Sequence, residues 1–325
     1  MERMAPFKLH GARTLDEALA LLRTPGARPI AGGTDLVPNL RHGLGAPTLL
    51  VDVTQIAGLD RIEATPVGFV LGANVTLARL ARDLAISAAL PALAQAAQGV
   101  AGPAHRSSAT LGGNLCVDTR CIFYNQSAWW RQANNFCLKH GGDTCHVAPQ
   151  GSRCHAAYAG DTAAALIALG AEVEIAGASR PRRMPLAALY VDDGAKPLAL
   201  VAGELVVRVH VPAHAAGTRS AYHKARARSA IDFPLAGVAV RLRMDAARLA
   251  DLAVALTGTN SRPLRLEGTE AFVGGPVDDD ALAGLARLVA HQAGPMRTTT
   301  TAANWRRVAA SVAMRRLVAA LSAPG

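Results

Sequence analysis

The 325-residue chain is poor in aromatics, which make up 4% of it. Its apolar half therefore has to be built mostly from Ala, Leu and Val. It has only four lysines, Lys8, Lys139, Lys196 and Lys224, so the net charge of +10 is carried almost entirely by arginine. It has no cysteine outside residues 116–154. No apolar run approaches the roughly 18 residues of a membrane span. The opening residues, Met1-Glu2-Arg3-Met4-Ala5-Pro6-Phe7-Lys8, lack the apolar core of a signal peptide. These absences argue against a membrane protein and a secreted disulfide scaffold, in which cysteines are spread through a small chain. They favour a cytoplasmic protein. At 50% apolar residues the chain is also too apolar for disorder. The arginines are dispersed and no nucleic-acid motif accompanies them, which argues against a nucleic-acid partner. A solvated surface and a docking face for an acidic partner both remain open.

What is present reads as three segments, at 1–56, 57–217 and 218–325. In the first, Thr14 and Glu17 form a capping box, and Leu15, Ala18, Leu19 and Leu22 follow at helical spacing. Pro29-Ile30-Ala31 reads as a short strand, 36–42 as a short helix and 49–53 as a buried strand. In the second, 68–72 reads as a strand, and Thr76 caps a helix bearing Leu77, Leu80, Ala81 and Leu84. An alanine-rich helix is expected over 87–100. Asp161 caps a helix with Leu166 and Leu169, and 172–175 is the strand after it. In the third, strands are expected at 221–227, 237–243 and 252–257 and helices at 281–290 and 302–321. Strands followed by helices indicate an α+β domain.

Two glycine loops stand out. Gly32-Gly33-Thr34-Asp35 lies between a strand and a helix, and Leu111-Gly112-Gly113-Asn114 repeats the chemistry. Paired glycines admit close backbone approach, and amides at a helix N-terminus favour a phosphate. Neither loop has the Gly-x-Gly-x-x-Gly dinucleotide fingerprint, and neither is a P-loop.

The cysteines form the other constellation. Cys121, Cys137, Cys145 and Cys154 are separated by 15, 7 and 8 residues. Four thiolates suit a [4Fe–4S] cluster or a zinc ion, and unliganded thiols are the plain alternative. His140, His146 and His155 are alternate ligands under the zinc reading. Phe123, Tyr124, Trp129, Trp130, Phe136 and Tyr158 crowd this stretch. They are expected to give it a small core of its own and to shield a bound group from water. Cys116 reads as a buried thiol outside the set.

Together these residues resemble the flavin subunits of the molybdenum hydroxylase (xanthine oxidase) family. Pro29-Ile30-Ala31-Gly32-Gly33-Thr34-Asp35-Leu36 is similar to that family's first FAD pyrophosphate loop, and Ala109-Thr110-Leu111-Gly112-Gly113-Asn114 to its second. Lys224, Arg228 and Asp232 match a Lys-x-x-x-Arg-x-x-x-Asp pattern near the start of its C-terminal domain. The match to the family's helix-opening Asp is Asp161, which lies 47 residues beyond Asn114. The interval holds the cysteine insert, 116–158. The run from Asn114 to Ser127, with Trp129-Trp130-Arg131, closely resembles the branch of the family that acts on 4-hydroxybenzoyl-CoA.

The resemblance implies an α+β chain. A two-subdomain FAD-binding fold, of the type seen in vanillyl-alcohol oxidase, would be followed by a C-terminal domain of the CO dehydrogenase flavoprotein type. It implies that FAD is held by the two loops together with Ala101, Asp161 and Lys224. It implies that Cys121, Cys137, Cys145 and Cys154 hold a [4Fe–4S] cluster. Asp161 would accept hydrogen bonds from ribose or the flavin edge, unless it is only a cap. Lys224 would stabilise reduced flavin, unless it forms a surface ion pair with Asp232. Asp35 would be a turn residue rather than a ligand. The implied partners are a molybdenum large subunit and a [2Fe–2S] small subunit in an (αβγ)2 assembly, with ferredoxin as donor. No catalytic residue is implied on this chain.

Overall fold

Three β-sheets succeed one another along the chain. The computed structural model describes residues 4–177 and 180–324. Residues 1–3, part of the stretch read against a signal peptide, lie outside the described residues.

The first sheet is parallel, with order β1-β3-β2, from β1 (Lys8–Gly11), β2 (Ala27–Ile30) and β3 (Leu49–Asp52). Helix α1 (Leu15–Leu22) joins β1 to β2, and α2 (Leu36–Arg41) joins β2 to β3. Thr14 caps α1 by accepting the Glu17 amide at 3.2 Å. The Glu17 carboxylate accepts the Arg13 amide instead of the cap's own. Ala18 and Leu22 of α1 are buried against Val51, Val53, Leu205 and Val207. Each large aliphatic side chain buried this way contributes about 1.5–3 kcal/mol.

The second sheet is antiparallel, with order β4-β5-β8-β6-β7. Its strands are β4 (Ile62–Thr65), β5 (Gly68–Gly72), β6 (Glu172–Ala176), β7 (Arg182–Pro185) and β8 (Leu205–Pro212). The central β8 was not singled out in the sequence, although its alternation of buried Val207, Val209 and Val211 is plain. Between β5 and β6 run α3 (Leu77–Arg82), α4 (Leu84–Ala89), α5 (Pro91–Gly99), α6 (Pro103–Ser108), α7 (Leu111–Leu115), α8 (Ala128–Ala133) and α9 (Asp161–Ala168). The single helix expected over 87–100 is two. Leu90 leaves helical geometry at φ −132° and ψ 55°, and Pro91 starts α5, because its ring excludes the preceding residue from the helix.

The third sheet is antiparallel, with order β12-β11-β10-β9, from β9 (Thr218–Ala225), β10 (Ala236–Asp245), β11 (Arg248–Thr257) and β12 (Leu264–Arg265). Helices α10 (Asp279–Gln292) and α11 (Ala303–Ser322) cover one face, where Val240, Val254, Leu285, Met314 and Val318 are buried together. On the other face Tyr222, Ala239 and Ala255 join the main core with Ala96 of α5 and Leu166 of α9. This double-sided burial places β9 against the N-terminus of α9. Among the described residues no helix is long and apolar enough to cross a membrane.

Candidate flavin and cysteine sites

The first glycine loop follows β2 and leads into α2. Gly33 has φ +67°, in the left-handed region that glycine occupies freely. A Cβ on Gly32 would collide with the Ser108 carbonyl. The first glycine loop therefore packs against Ser108, 76 residues further along the chain and immediately before the second loop. Among the described residues the amides of Gly32, Gly33, Thr34 and Asp35 donate to no protein acceptor. They line the entry to α2, where an anion would satisfy them. Asp35 gives no side-chain cap to α2. It pairs with Arg120, and its carboxylate accepts from the Asn39 side-chain amide at 3.2 Å and the Asp118 backbone amide at 3.4 Å.

The second loop is folded differently. Thr110 caps α7 through the Gly113 amide at 3.1 Å. The Leu111, Gly112 and Asn114 amides donate to Val75, Ala73 and Thr110 carbonyls. Gly112 is buried and Gly113 is exposed. Asn114 Oδ1 accepts from the Thr162 amide at 3.0 Å and the Thr162 hydroxyl at 2.6 Å, which ties this loop to the start of α9. Ala109 is buried just before the loop, and its carbonyl accepts the Leu77 amide.

Asp161 is not the cap of α9. Gly160 occupies that position, and Asp161 is the first helical residue. Its carboxylate is buried and pairs with Lys224 at 3.0 Å while accepting the Tyr222 hydroxyl at 2.7 Å. Burial pushes the Asp161 carboxyl up, against the pull of the Lys224 ammonium and the Tyr222 hydroxyl. Lys224 does not pair with Asp232, whose carboxylate instead holds the Ala227 and Arg228 amides and the Arg228 guanidinium. The Lys224 ammonium also donates to the Gly99 carbonyl at 3.0 Å. Two residues on, Ala101 has φ +42°, and its carbonyl accepts the Ile231 amide, Ile231 itself having φ +51°. Two left-handed non-glycine residues joined by one hydrogen bond store about 1–3 kcal/mol each, a pattern that concentrates at functional sites.

The four cysteines converge. Cys121, Cys137, Cys145 and Cys154 are buried and together line one cavity, with Phe123, Tyr124, Leu138, Lys139, His146, Val147 and Ala156. None is in a disulfide. Among the described residues no group of three or more His, Cys, Asp or Glu is gathered to hold a metal ion. What the four cysteines share is the lining of that one cavity. No carboxylate lines it, so beside His146 the donors are four soft thiols, a type that selects iron–sulfur clusters, zinc or copper(I). Burial pushes the Cys154 thiol up to about 12, opposed by the Ala156 amide and the Lys139 ammonium. Of the three histidines, only His146 reaches the cavity. The His140 ring stacks near Tyr124 and Phe136.

The insert is bound on every side. Arg120 and Ala157 pair across its base through hydrogen bonds of 2.7 and 2.8 Å. The buried Arg131 of α8 donates to the His42 carbonyl at 2.9 Å. Ile122 donates to the Thr298 carbonyl at 2.9 Å, and Arg120 lies 4.6 Å from the Phe233 ring centroid. The expected aromatic core is smaller than the sequence indicated. Phe123 and Tyr124 pack with the cysteines, Tyr158 belongs to the main core and Trp129 is 75% exposed. Cys116 packs against the main core, and burial pushes its thiol up to about 12.

Arg120, Lys139, Thr162 and Tyr222 are site residues that the sequence reading passed over. Arg120 and Lys139 carried a signal, since one precedes the first cysteine of the four-cysteine set and the other lies two residues after the second. Thr162 and Tyr222 carried none, because their partners are distant in sequence.

The first glycine loop against Ser108 and the buried Asp161–Lys224 pair are thus set in a chain whose third sheet, covered by two helices, forms an α+β C-terminal part. The FAD-binding domain of molybdopterin dehydrogenases matches residues 5–214, and the CO dehydrogenase flavoprotein C-terminal domain matches 220–321. The chain belongs to this family of FAD-binding oxidoreductase subunits. It is 34% identical over 266 residues to the FAD-binding subunit of an aldehyde oxidoreductase from Escherichia coli, covering 79% of this chain and 82% of that one. It is 27% identical to the carbon monoxide dehydrogenase medium chain of Afipia carboxidovorans, covering 96% and 95%. The reconstituted CO dehydrogenase from Oligotropha carboxidovorans superposes with a TM-score of 0.82 at 25% identity over the full length of both chains.

Proposed function

We propose that this chain is the electron-transfer subunit of a 4-hydroxybenzoyl-CoA reductase, carrying FAD and a [4Fe–4S] cluster. The observation that carries the reading is that all four insert cysteines line one buried cavity, directly after the second glycine loop. The free amides of Gly32 to Asp35 would hold the FAD pyrophosphate, with the Thr34 hydroxyl beside them and the Ala109 to Asn114 loop packed against them. Pro29, Ile30, Ala31 and Leu36 frame the first loop. Ala101 and the buried Asp161–Lys224 pair would border the flavin. Lys224 would place positive charge near it, and Asp161 would hold that ammonium in position.

Cys121, Cys137, Cys145 and Cys154 would be the cluster ligands. Bound there, a cluster would relay single electrons to and from the flavin. Electrons would enter from ferredoxin and leave through FAD to a [2Fe–2S] small subunit and a molybdenum large subunit. On the large subunit the phenolic hydroxyl of the thioester would be removed to give benzoyl-CoA. This chain positions two redox centres and tunes them; it performs no acid–base step.

A second reading is favoured by the relatives, which include subunits of aldehyde oxidoreductase, carbon monoxide dehydrogenase and xanthine dehydrogenase. In it the chain serves a molybdenum hydroxylase with another substrate, and it fits the fold equally well. Purification of the assembled complex, with iron and flavin analysis and turnover of 4-hydroxybenzoyl-CoA, separates the two. Activity on that thioester with four extra irons per chain supports the first. A complex inert to it and active on another compound establishes the second.

A further inference from the structure

We propose that Lys139 sets the reduction potential of the cluster assigned to the insert, its buried ammonium stabilising the reduced state. The proposal rests on the cluster reading above. Lys139 lies between Cys137 and Cys145 in sequence and lines the same cavity as all four cysteines. It is one of four lysines in the chain, and its side chain is only 5% exposed. An ammonium withdrawn from water costs several kcal/mol unless it is paired and hydrogen-bonded.

Here it is both. Lys139 Nζ donates to Asp118 Oδ1 at 2.6 Å, to the Thr119 hydroxyl at 2.5 Å and to the Thr119 carbonyl at 3.2 Å. It stands 4.4 Å from the centroid of the Tyr124 ring, another wall of the cavity. These three oxygens match the three protons of the ammonium. Lys139 therefore acts on the cavity through its charge rather than by a hydrogen bond to sulfur. The pair is also unevenly solvated. The Asp118 side chain is 33% exposed and screened by water, while the ammonium is dry. Lys139 lines the cavity and Asp118 does not, so the cavity faces the cationic partner of the pair.

Held by the four cysteines, a cluster would supply a one-electron store there, in which one electron from a one-electron donor would add one negative charge. Net charge and burial are the levers that set such potentials. A fixed cation at the wall raises the potential. Asp118 ties the arrangement to the flavin loop, because its amide donates to Asp35.

The test is a potentiometric titration of the purified complex, followed by low-temperature electron paramagnetic resonance of the reduced cluster. Lys139→Met should keep its iron and flavin and shift the reduction equilibrium about tenfold toward the oxidised cluster, or about 59 mV for a one-electron couple. Asp118→Asn keeps the ammonium and removes its counter-charge, so the potential should rise. An iron-loaded Lys139→Met with the wild-type midpoint overturns the proposal. If that variant fails to load iron, Asp118→Asn decides. A rise supports the proposal, and an unchanged or lower midpoint overturns it. A wild-type complex with flavin and no iron overturns the cluster reading and this proposal with it, and the iron content tells that failure from the other.

Discussion

Arg120 reaches back to Asp35, so the residue before the first insert cysteine is ion-paired with a residue of the first glycine loop. The same guanidinium donates to Asn39 Oδ1 at 2.7 Å and lies over Phe233 of the C-terminal domain. Burial pushes the Arg120 guanidinium down to about 10, which leaves it charged at neutral pH. One side chain thus joins the first glycine loop, the insert and the loop between β9 and β10.

Arg120→Met should leave Asp35 and Asn39 without this partner and lower stability by about 1–3 kcal/mol. Thermal unfolding reads the loss, and flavin should dissociate faster from the variant. A wild-type melting temperature and flavin release rate would show that the bridge is incidental.

Gly32→Ala tests the close approach of the first glycine loop to Ser108. The added methyl meets the Ser108 carbonyl, and backbone cannot yield as a flexible side chain does. Overpacking of this kind costs about 1–3 kcal/mol. The purified variant should contain less flavin by absorbance, and full flavin occupancy would contradict the arrangement.

On the proposed assignment, Cys137→Ser should remove or damage the cluster while FAD stays bound through the two glycine loops. Iron analysis and the flavin spectrum of one sample read both quantities. Loss of flavin with normal iron content would contradict that division of labour.

Lys224→Met leaves the Asp161 carboxylate buried beside a single hydroxyl. Removing one partner of a buried pair costs about 3–5 kcal/mol. The double variant with Asp161→Asn should regain part of that loss in a denaturant titration. Strict additivity of the two substitutions would argue against the pairing.

Acid stability has a local contribution from Glu174 on β6. Burial pushes its carboxyl up, but the His210 and Arg208 hydrogen bonds and charges outweigh it and leave it below the usual range. A lowered folded value means stability that is present above the unfolded pKa of about 4.3 and is lost as pH falls through the folded one. Melting temperature measured from pH 7 downward should therefore fall less steeply for Glu174→Gln than for wild type. Parallel curves would rule out this contribution.

The legible parts were local. Thr14 and Thr76 as caps, the strand 68–72 and the long C-terminal helices follow from side chains within one turn or one strand of each other. The glycine loops and the cysteine set were readable as types of residue at given spacings. The break at Leu90 was readable from Pro91 and was passed over because the alanines on either side favour helix. Asp161 was misplaced by one position. An aspartate before an apolar run is the usual signature of a cap, whereas here its carboxylate turns inward to Lys224 and Tyr222 of β9.

By itself the sequence determined the order of segments, the two glycine loops, the thiol donor set and the family they resemble. These depend on local backbone preference and on which side chains are present. Tertiary structure alone decided that Gly32 touches Ser108, that Asp161 faces Lys224 and that Lys139 shares a wall with four cysteines. Such relationships depend on how sheets and helices stack, because burial forces together charges and backbones that are many residues apart along the chain.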